Sequence, residues 1–431
     1  MRDNKPLTFA LELAIYYSRC SLREIFCSRS AVHCLIKVTE GGCVVLSLRL
    51  LAVPKRLRIE LLLIVFLLMS GRHVPAQVIH KGPYVQGVMK DQATIHWVTV
   101  AGTVQFGTAP DKLNGGAHAY EHHKVILKSL KPNTTYYYNI SEDGTEKGAG
   151  SFTTAPDDSD TPFTFIVYGD TRSRPDVHRK VVEAVMKENV QFILHTGDIV
   201  ADGRNPEHWD IYFQTAGDLM RKVPIFFSLG NHERDADFYF DYFDLPGNER
   251  YYSFDWGNCH FIALDTNDPR FPRVKGYLGR QEQERRREMV EQYWDEQLTW
   301  LSRDLSINQK ADFIIVFFHH PLRSTKSSRV DQRARLRGRF GRLFHDFGVD
   351  LIFNGHDHNY QHHNYRGVHY IVTGGGGAPF YDIEEQNADR YTVKLAQTEH
   401  YVRVKVNGEK LKVEAVKPDG ALIESFELEA D

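Results

Sequence analysis

Residues 163–170 read Phe163-Thr164-Phe165-Ile166-Val167-Tyr168-Gly169-Asp170, an apolar run that stops at a glycine and a carboxylate. A short run of aromatic and β-branched residues bounded by glycine predicts a strand buried on both faces. A helical stretch follows around 177–188. The same phrase then recurs down the chain. Gln191-Phe192-Ile193-Leu194-His195-Thr196 leads into Gly197-Asp198, and Val223-Pro224-Ile225-Phe226-Phe227-Ser228-Leu229 leads into Gly230-Asn231-His232-Glu233. Phe313-Ile314-Ile315-Val316-Phe317-Phe318 leads into His319-His320-Pro321, and Val349-Asp350-Leu351-Ile352-Phe353-Asn354 into Gly355-His356-Asp357-His358. Strands alternating with helical stretches predict an α/β fold, in which sites form just beyond the carboxyl ends of the strands.

Each ending alone is weak evidence. Gly-Asp after a strand is an ordinary turn, Asn-His is commonly a cap, and Gly-His-x-His is only sometimes a ligand pair. Together, each after an apolar run, they point to a metal site. The donors are carboxylate, amide and imidazole with no thiolate, which suits Mn²⁺, Fe²⁺/Fe³⁺ or Zn²⁺ and not a structural cysteine–zinc site. One carboxylate can bridge two ions about 3.5–4 Å apart, the spacing used in phosphoryl transfer, and such ions lower the pKa of a bound water to give a hydroxide nucleophile.

This ordered set, Asp, Gly-Asp, Gly-Asn-His-Glu, His and Gly-His-x-His, resembles the calcineurin-like metallophosphoesterases, and the chain from about residue 78 looks like their purple acid phosphatase branch. The glycines Gly374-Gly375-Gly376-Gly377 after Tyr370-Ile371-Val372 fit that pattern. The resemblance implies a metallophosphoesterase β-sandwich flanked by helices over 160–430, preceded by a fibronectin type III-like module over 77–156. It implies two divalent or mixed-valence metal ions (Fe, Mn or Zn) with Asp198 bridging them. Asp170 and His358 would hold the first ion, and Asn231, His319 and His356 the second. His232 would face the substrate as the catalytic residue, stabilising the transition state or protonating the leaving oxygen; the alternative is that it orients a ligand.

The sequence departs from that branch near the first ion. The purple enzymes carry a tyrosine three positions after the bridging Asp, where this chain has Ala201, and the wider superfamily carries a histidine two positions after the first Asp, where it has Arg172. The first site is thereby short of a ligand, and the protein is expected not to be purple. His178 could supply the missing ligand from the next helix, or simply sit on a helix face. Arg172 is read as a substrate-binding residue, because a guanidinium matches phosphate oxygens; the alternative is an ion pair with a carboxylate. After the His319 motif comes Leu322-Arg323-Ser324-Thr325, without the branch's extra substrate-side histidines.

Outside this region, residues 77–155 hold short alternating runs such as Thr94-Ile95-His96-Trp97-Val98-Thr99, Val104-Gln105-Phe106 after Gly102, and Ser151-Phe152-Thr153-Thr154. They predict an all-β sandwich with no acid, base or nucleophile cluster. Residues 268–297 are rich in Arg and Glu and predict a helical insertion, either a lid or a solvated helix. Residues 396–428 alternate and predict strands that close the catalytic sheet or form a small unit of their own.

Residues 53–76 read as a secretory signal. Lys55, Arg56 and Arg58 precede a short apolar stretch, and Val74-Pro75-Ala76 offers a cleavage site before Gln77. That implies a secreted or periplasmic protein with no stable membrane insertion after cleavage. The signal lies far inside the chain, so residues 1–52 suggest a mis-assigned start. Beyond residue 43 the only cysteine is Cys259, so the main body forms no internal disulfide.

The chain has 431 residues and a formal net charge of −3, which gives no bulk argument for a nucleic-acid partner. Its basic clusters, Arg285-Arg286-Arg287 and the stretch 323–342, read as solvated helix faces. The expected partner is a small phosphate ester, with monoesters ahead of diesters. The competing readings are a phosphodiesterase on nucleotides or glycerophosphodiesters, and an extracellular binding protein whose catalytic domain has decayed.

Overall fold

The computed structural model describes residues 79–430 apart from 107–108, 110–111, 113–114, 143–144 and 272–278. Upstream it describes only β1 (Leu13–Tyr16), β2 (Val32–Val38) and β3 (Cys43–Leu50), which form one antiparallel sheet in a separate unit, Met1–Pro75. No fold was expected there. The signal-like stretch 53–76 lies outside the described residues. Among the described residues no helix is long and apolar enough to cross a membrane.

Two sheets build the centre of the second unit. The first runs β11 (Ile225–Phe227), β10 (Phe192–His195), β9 (Phe163–Tyr168), β19 (Tyr401–Asn407), β20 (Lys410–Val416) and β21 (Leu422–Glu429). The second runs β12 (Tyr252–Trp256), β13 (Cys259–Ala263), β14 (Phe313–Phe317), β15 (Leu351–Asn354), β17 (Val368–Thr373), β16 (Tyr360–Tyr365) and β18 (Thr392–Ala396). β9, β10 and β11 are parallel to one another, and so are β13, β14, β15 and β17. The C-terminal strands pair with β9 through β19, so they close the catalytic sheet.

The unbroken apolar runs follow from burial on both faces. Along β14, Phe313, Ile315 and Phe317 enter the core between the sheets, while Ile314 and Val316 enter a second core under the helices. This is the two-residue period of a strand working for two interiors at once. Phe192 sits at the middle of the first core, 5.2 Å from Phe165 and 5.2 Å from Phe261 between ring centroids. The second core is covered by α4 (Arg280–Ile307), which contributes Trp294, Leu301 and Leu305, and α5 (Val330–Asp346), which contributes Leu336, Phe340 and Phe344. Within the Arg/Glu-rich stretch, residues 280–297 form the first part of α4, mostly exposed and continuous with the buried Leu301 turn.

Two helices flank the first sheet's loops. α1 (Pro175–Val185) has proline at its first position, where a missing N–H costs nothing. α2 (Pro206–Met220) starts the same way, with the Asn205 side chain accepting from the Glu207 N–H. A short α3 (Asp237–Tyr242) follows β11.

Ahead of β9 lie a three-stranded sheet, β4 (Ile79–Gln86), β5 (Gln92–Phe106) and β6 (Gly115–Lys128), and a two-stranded sheet, β7 (Thr135–Glu142) and β8 (Thr145–Thr153). The two runs either side of Gly102 are one strand, with a register shift between Val100 and Gly102 that absorbs the irregularity. This β layer shares the main core with the catalytic sheets. Tyr84 Oη donates to the Tyr242 carbonyl (2.7 Å) and Tyr138 Oη to the Arg221 carbonyl (2.9 Å), while Lys81 pairs with Asp210.

Candidate metal centre

The residues expected to hold metal all lie at strand ends: Asp170 after β9, Asp198 after β10, Asn231 after β11, His319 after β14, and His356 and His358 after β15. Three of them, Asp170, Asp198 and His356, have left-handed backbone at φ 57°, 55° and 69°. Each such turn costs on the order of 1–3 kcal/mol in a non-glycine residue and persists only when its surroundings hold it. Here the loops hold one another. The Asp170 N–H donates to the Gly197 carbonyl (2.9 Å), the His356 N–H to the Asp170 carboxylate (2.9 Å), and the His232 N–H to Asp198 Oδ1 (2.9 Å). A Cβ on Gly355 would collide with the Asp170 carboxylate, and one on Gly230 with Asp198, so these motifs need glycine before the ligand.

The imidazole tautomers follow from their partners. His319 Nδ1 lies 2.9 Å from the Thr196 carbonyl, which can only accept, so Nδ1 carries the proton and Nε2 presents a lone pair. That Nε2 faces Asn231 Oδ1 at 3.2 Å, Asp198 Oδ1 at 3.3 Å and His356 Nδ1 at 3.1 Å. His358 Nδ1 likewise donates to the Pro379 carbonyl (2.6 Å), leaving its Nε2 lone pair 3.5 Å from Asp170 Oδ1. Protonating these rings does not relieve the opposition. Burial pushes His319 below its ordinary range and His358 down to about 4. His356 Nε2 is buried with no partner. Lone pairs facing carboxylate oxygens are the arrangement of a cation site, and the donor set fits Mn, Fe or Zn.

The donors form two groups that meet at Asp198. Its Oδ1 faces His319 Nε2, which also faces Asn231 Oδ1. Asp170, Asp198 and His358 form the other group, each offering an atom within 4.8 Å of the others. Arg172 already lies across this second set, with Nε 3.2 Å from Asp198 Oδ2 and a terminal guanidinium nitrogen 3.3 Å from His358 Nε2. Burial, followed by the charge of Asp198, pushes Asp170 well above the usual carboxylate range. Burial also pushes Asp198 upward, but His319, His232 and Arg172 outweigh it and hold the carboxyl below its ordinary value. All donors of both groups are buried or nearly so, so uncompensated charge there is costly.

Residues 163–360 match the family model for calcineurin-like phosphoesterases. This stretch is a calcineurin-like phosphoesterase domain. Its relatives include purple acid phosphatase 21 of Arabidopsis thaliana, 26% identical over 329 residues, covering 67% of this chain and 69% of that protein. Acid phosphatase type 7 of Mus musculus is 26% identical over 345 residues, covering 66% and 74%. In fold the chain is similar to a purple acid phosphatase from yellow lupin (Lupinus luteus) seeds, with TM-score 0.63 and 20% identity over 81% of this chain and 74% of that one. It is also similar to PhoD, with TM-score 0.57 and 15% identity over 81% and 90%.

Within the phosphoesterase domain, His232 Nδ1 donates to the Ala201 carbonyl (2.6 Å), which aims Nε2 at Asp198 Oδ2, 3.8 Å away. Of the two readings open for His178, the packing favours the helix-face one. His178 joins neither group; its ring stacks on Tyr212 with centroids 5.5 Å apart, and burial pushes its pKa down to about 3. The helix turns it toward α2 and away from the carboxylates. Two residues inside the quoted motifs were given no role from sequence. Glu233 is fully buried and accepts from the N–H groups of Asp198 (2.9 Å), Ile199 (2.8 Å) and Gly230 (2.7 Å), tying two ligand loops together. Those donors favour the ionised form, yet burial and the charge of Asp198 push it up to about 8. His320 lies with His319 and His356 and bonds to Thr266 Oγ1 at 2.8 Å. Doubled histidines were the available signal, but residue order cannot tell which ring turns inward.

Proposed function

We propose that the chain hydrolyses phosphate esters, monoesters ahead of diesters, at a centre of two cations sharing Asp198. The observation that supports this most is His319 Nε2, an imidazole nitrogen without a proton, turned toward Asp198 Oδ1 with the Asn231 amide oxygen beside it. Asp198, Asn231, His319 and His356 would hold one ion, and Asp170, Asp198 and His358 would hold the second. When bound, such ions supply Lewis acidity and acidify a water to near neutral pH.

The remaining steps fall to the side chains. Asp198 is shared between the groups. Arg172, which reaches both Asp198 and His358, would offer its guanidinium to two phosphate oxygens once the Asp170 group is occupied. His232, fixed by the Ala201 carbonyl, presents Nε2 to the leaving oxygen and hands it a proton. Glu233 and the glycines keep the strand-end turns from relaxing. On this reading residues 77–156 are a fibronectin-like module packed on domain 160–430, and residues 53–76 direct the protein to an extracytoplasmic compartment.

The test is turnover of a monoester and diester panel by protein reloaded with Mn²⁺, Zn²⁺ or Fe²⁺ after chelation. Metal-dependent release of phosphate, abolished in Asp198→Asn, is expected. A protein that binds metal but turns over no ester would overturn the reading.

A further inference from the structure

Beside the metal centre lies a cleft of about 160 Å³ that the phosphoesterase reading does not use. Arg172 and Ala201 stand where it meets the centre. Arg172 touches Asp198 and His358, and the Ala201 carbonyl fixes His232. From there the cleft runs between α1 and α2. His208, Ile211, Tyr212 and Thr215 of α2 line it at the spacing of one helix face, and His178 of α1 lines it from the other side.

Its lining changes character along its length. The inner end holds a guanidinium. The body contains no carboxylate, lysine or further arginine, but aliphatic groups and the stacked rings of His178 and Tyr212, 16° from parallel. Two polar atoms there, His178 Nε2 and Tyr212 Oη, are buried and have no hydrogen-bond partner, although both residues are only 2% exposed. Buried polar atoms left unpaired cost roughly 1–3 kcal/mol each, so a ligand that paired with these two would bind more tightly for it. At the outer rim Ile211 is 44% exposed, an apolar side chain presented to solvent.

We infer that this cleft binds the leaving group of the substrate, and that the group is a single uncharged aromatic ring carrying a hydrogen-bonding substituent. The inference rests on the phosphoesterase reading and deepens it. Charge at one end and neutral aromatic surface beyond it match an aryl phosphate: the phosphoryl group meets Arg172 and His232, and the ring slides between α1 and α2. The size agrees, since a cavity of about 150 Å³ accepts a benzene ring. Tyr212 Oη donates to the ring's substituent, and His178 Nε2, with burial favouring the neutral imidazole, meets it without a charge to bury.

The test is calorimetry on metal-loaded protein with two ligands that cannot be hydrolysed, 4-hydroxyphenylphosphonate and methylphosphonate. The ring-bearing ligand should bind about tenfold or more tightly, because only it removes an aromatic face from water. Ile211→Trp and Thr215→Leu narrow the cleft from the rim and the helix face. In both, the preference should fall to about twofold or less while methylphosphonate affinity holds, since neither touches the phosphoryl end. Equal affinities in the unaltered protein, or a preference surviving in both variants, would overturn the assignment. Turnover of phenyl phosphate and glycerol phosphate, measured in parallel, separates the two claims. Hydrolysis without ring preference sinks only the cleft, whereas failure to turn over either ester sinks the phosphoesterase reading itself.

Discussion

The two halves of the candidate metal centre share one carboxylate and differ in what faces it. On the Asn231 side, Asp198 Oδ1 meets His319 Nε2, an imidazole nitrogen that also faces the Asn231 amide oxygen. On the Asp170 side, Oδ2 meets a guanidinium that also reaches His358. The first half is a set of donors without positive charge. The second half carries a cation from its own chain. Substituting arginine where the superfamily has histidine both removes a ligand and adds a competitor for the carboxylates. Identical motifs at strand ends can thus yield two sites of unequal affinity.

The strongest way to break this comparison is Asp198→Asn, which takes charge from both halves together. Bound metal should fall to nearly none, and ester hydrolysis should drop by about 10³-fold or more, read by elemental analysis and steady-state rates. If one full equivalent of metal survived, the halves would not share that ligand.

A contrast of single variants sharpens the inequality. His319→Ala should cost the tighter ion and Asp170→Ala the weaker one. Titrating metal into each should leave one equivalent, held roughly tenfold or more tightly in Asp170→Ala. Equal residual affinities would erase the distinction.

Arg172→Ala addresses the competitor directly. Removing the guanidinium should tighten the weaker ion by about tenfold, since a like charge no longer occupies its carboxylates. The same change should raise KM for a monoester by about tenfold, because bidentate phosphate contact is lost. A change in KM without a change in metal affinity would mean that Arg172 serves substrate alone.

The smallest effect concerns the charge stored around the centre. In chelated protein, burial holds Glu233 protonated up to about 8, and Asp170 is raised in the same direction. A carboxyl whose folded pKa is raised contributes stability at low pH and loses it as pH climbs to the folded value. At about pH 6.5 unfolded histidines are still half protonated, so His319, His358 and the other buried rings gain stability over the same window with the opposite sign, and only a comparison with a Glu233 variant isolates the carboxyl. His260, held by Asp255 and Asp304 and raised to about 9, loses stability as the carboxyls do. Between about pH 6.5 and 8 the chelated protein should lose about 1–2 kcal/mol of unfolding free energy relative to Glu233→Gln measured in parallel. Parallel profiles in the two proteins would contradict the raised Glu233 carboxyl.

Much of this was legible before any coordinates. The apolar runs around Phe165, Ile193, Phe226, Ile315 and Ile352 announce buried strands because alternate side chains fill two interiors, and no polar face interrupts the pattern. Their polar endings announce chemistry because strand ends are where side chains escape the core. The structure brings the expected donors within reach of one another. Other features were not readable. Gly102 looked like a break, and only pairing along β6 shows one continuous strand. His178 and Arg172 sit eight and two residues after Asp170, and spacing alone left open whether the first is a ligand and whether the second pairs with a carboxylate.

Residue order by itself determined which groups reach strand ends, because the two-residue period and the glycine-dependent turns are local. Tertiary packing decided which strand ends meet, since the donors come from two separate sheets whose pairing no local rule specifies. It also decided which way His178 turns, that Arg172 lies on Asp198, and that a cleft opens beside them. Those outcomes depend on what α1 and α2 pack against, and burial, unlike periodicity, belongs to no single segment of the chain.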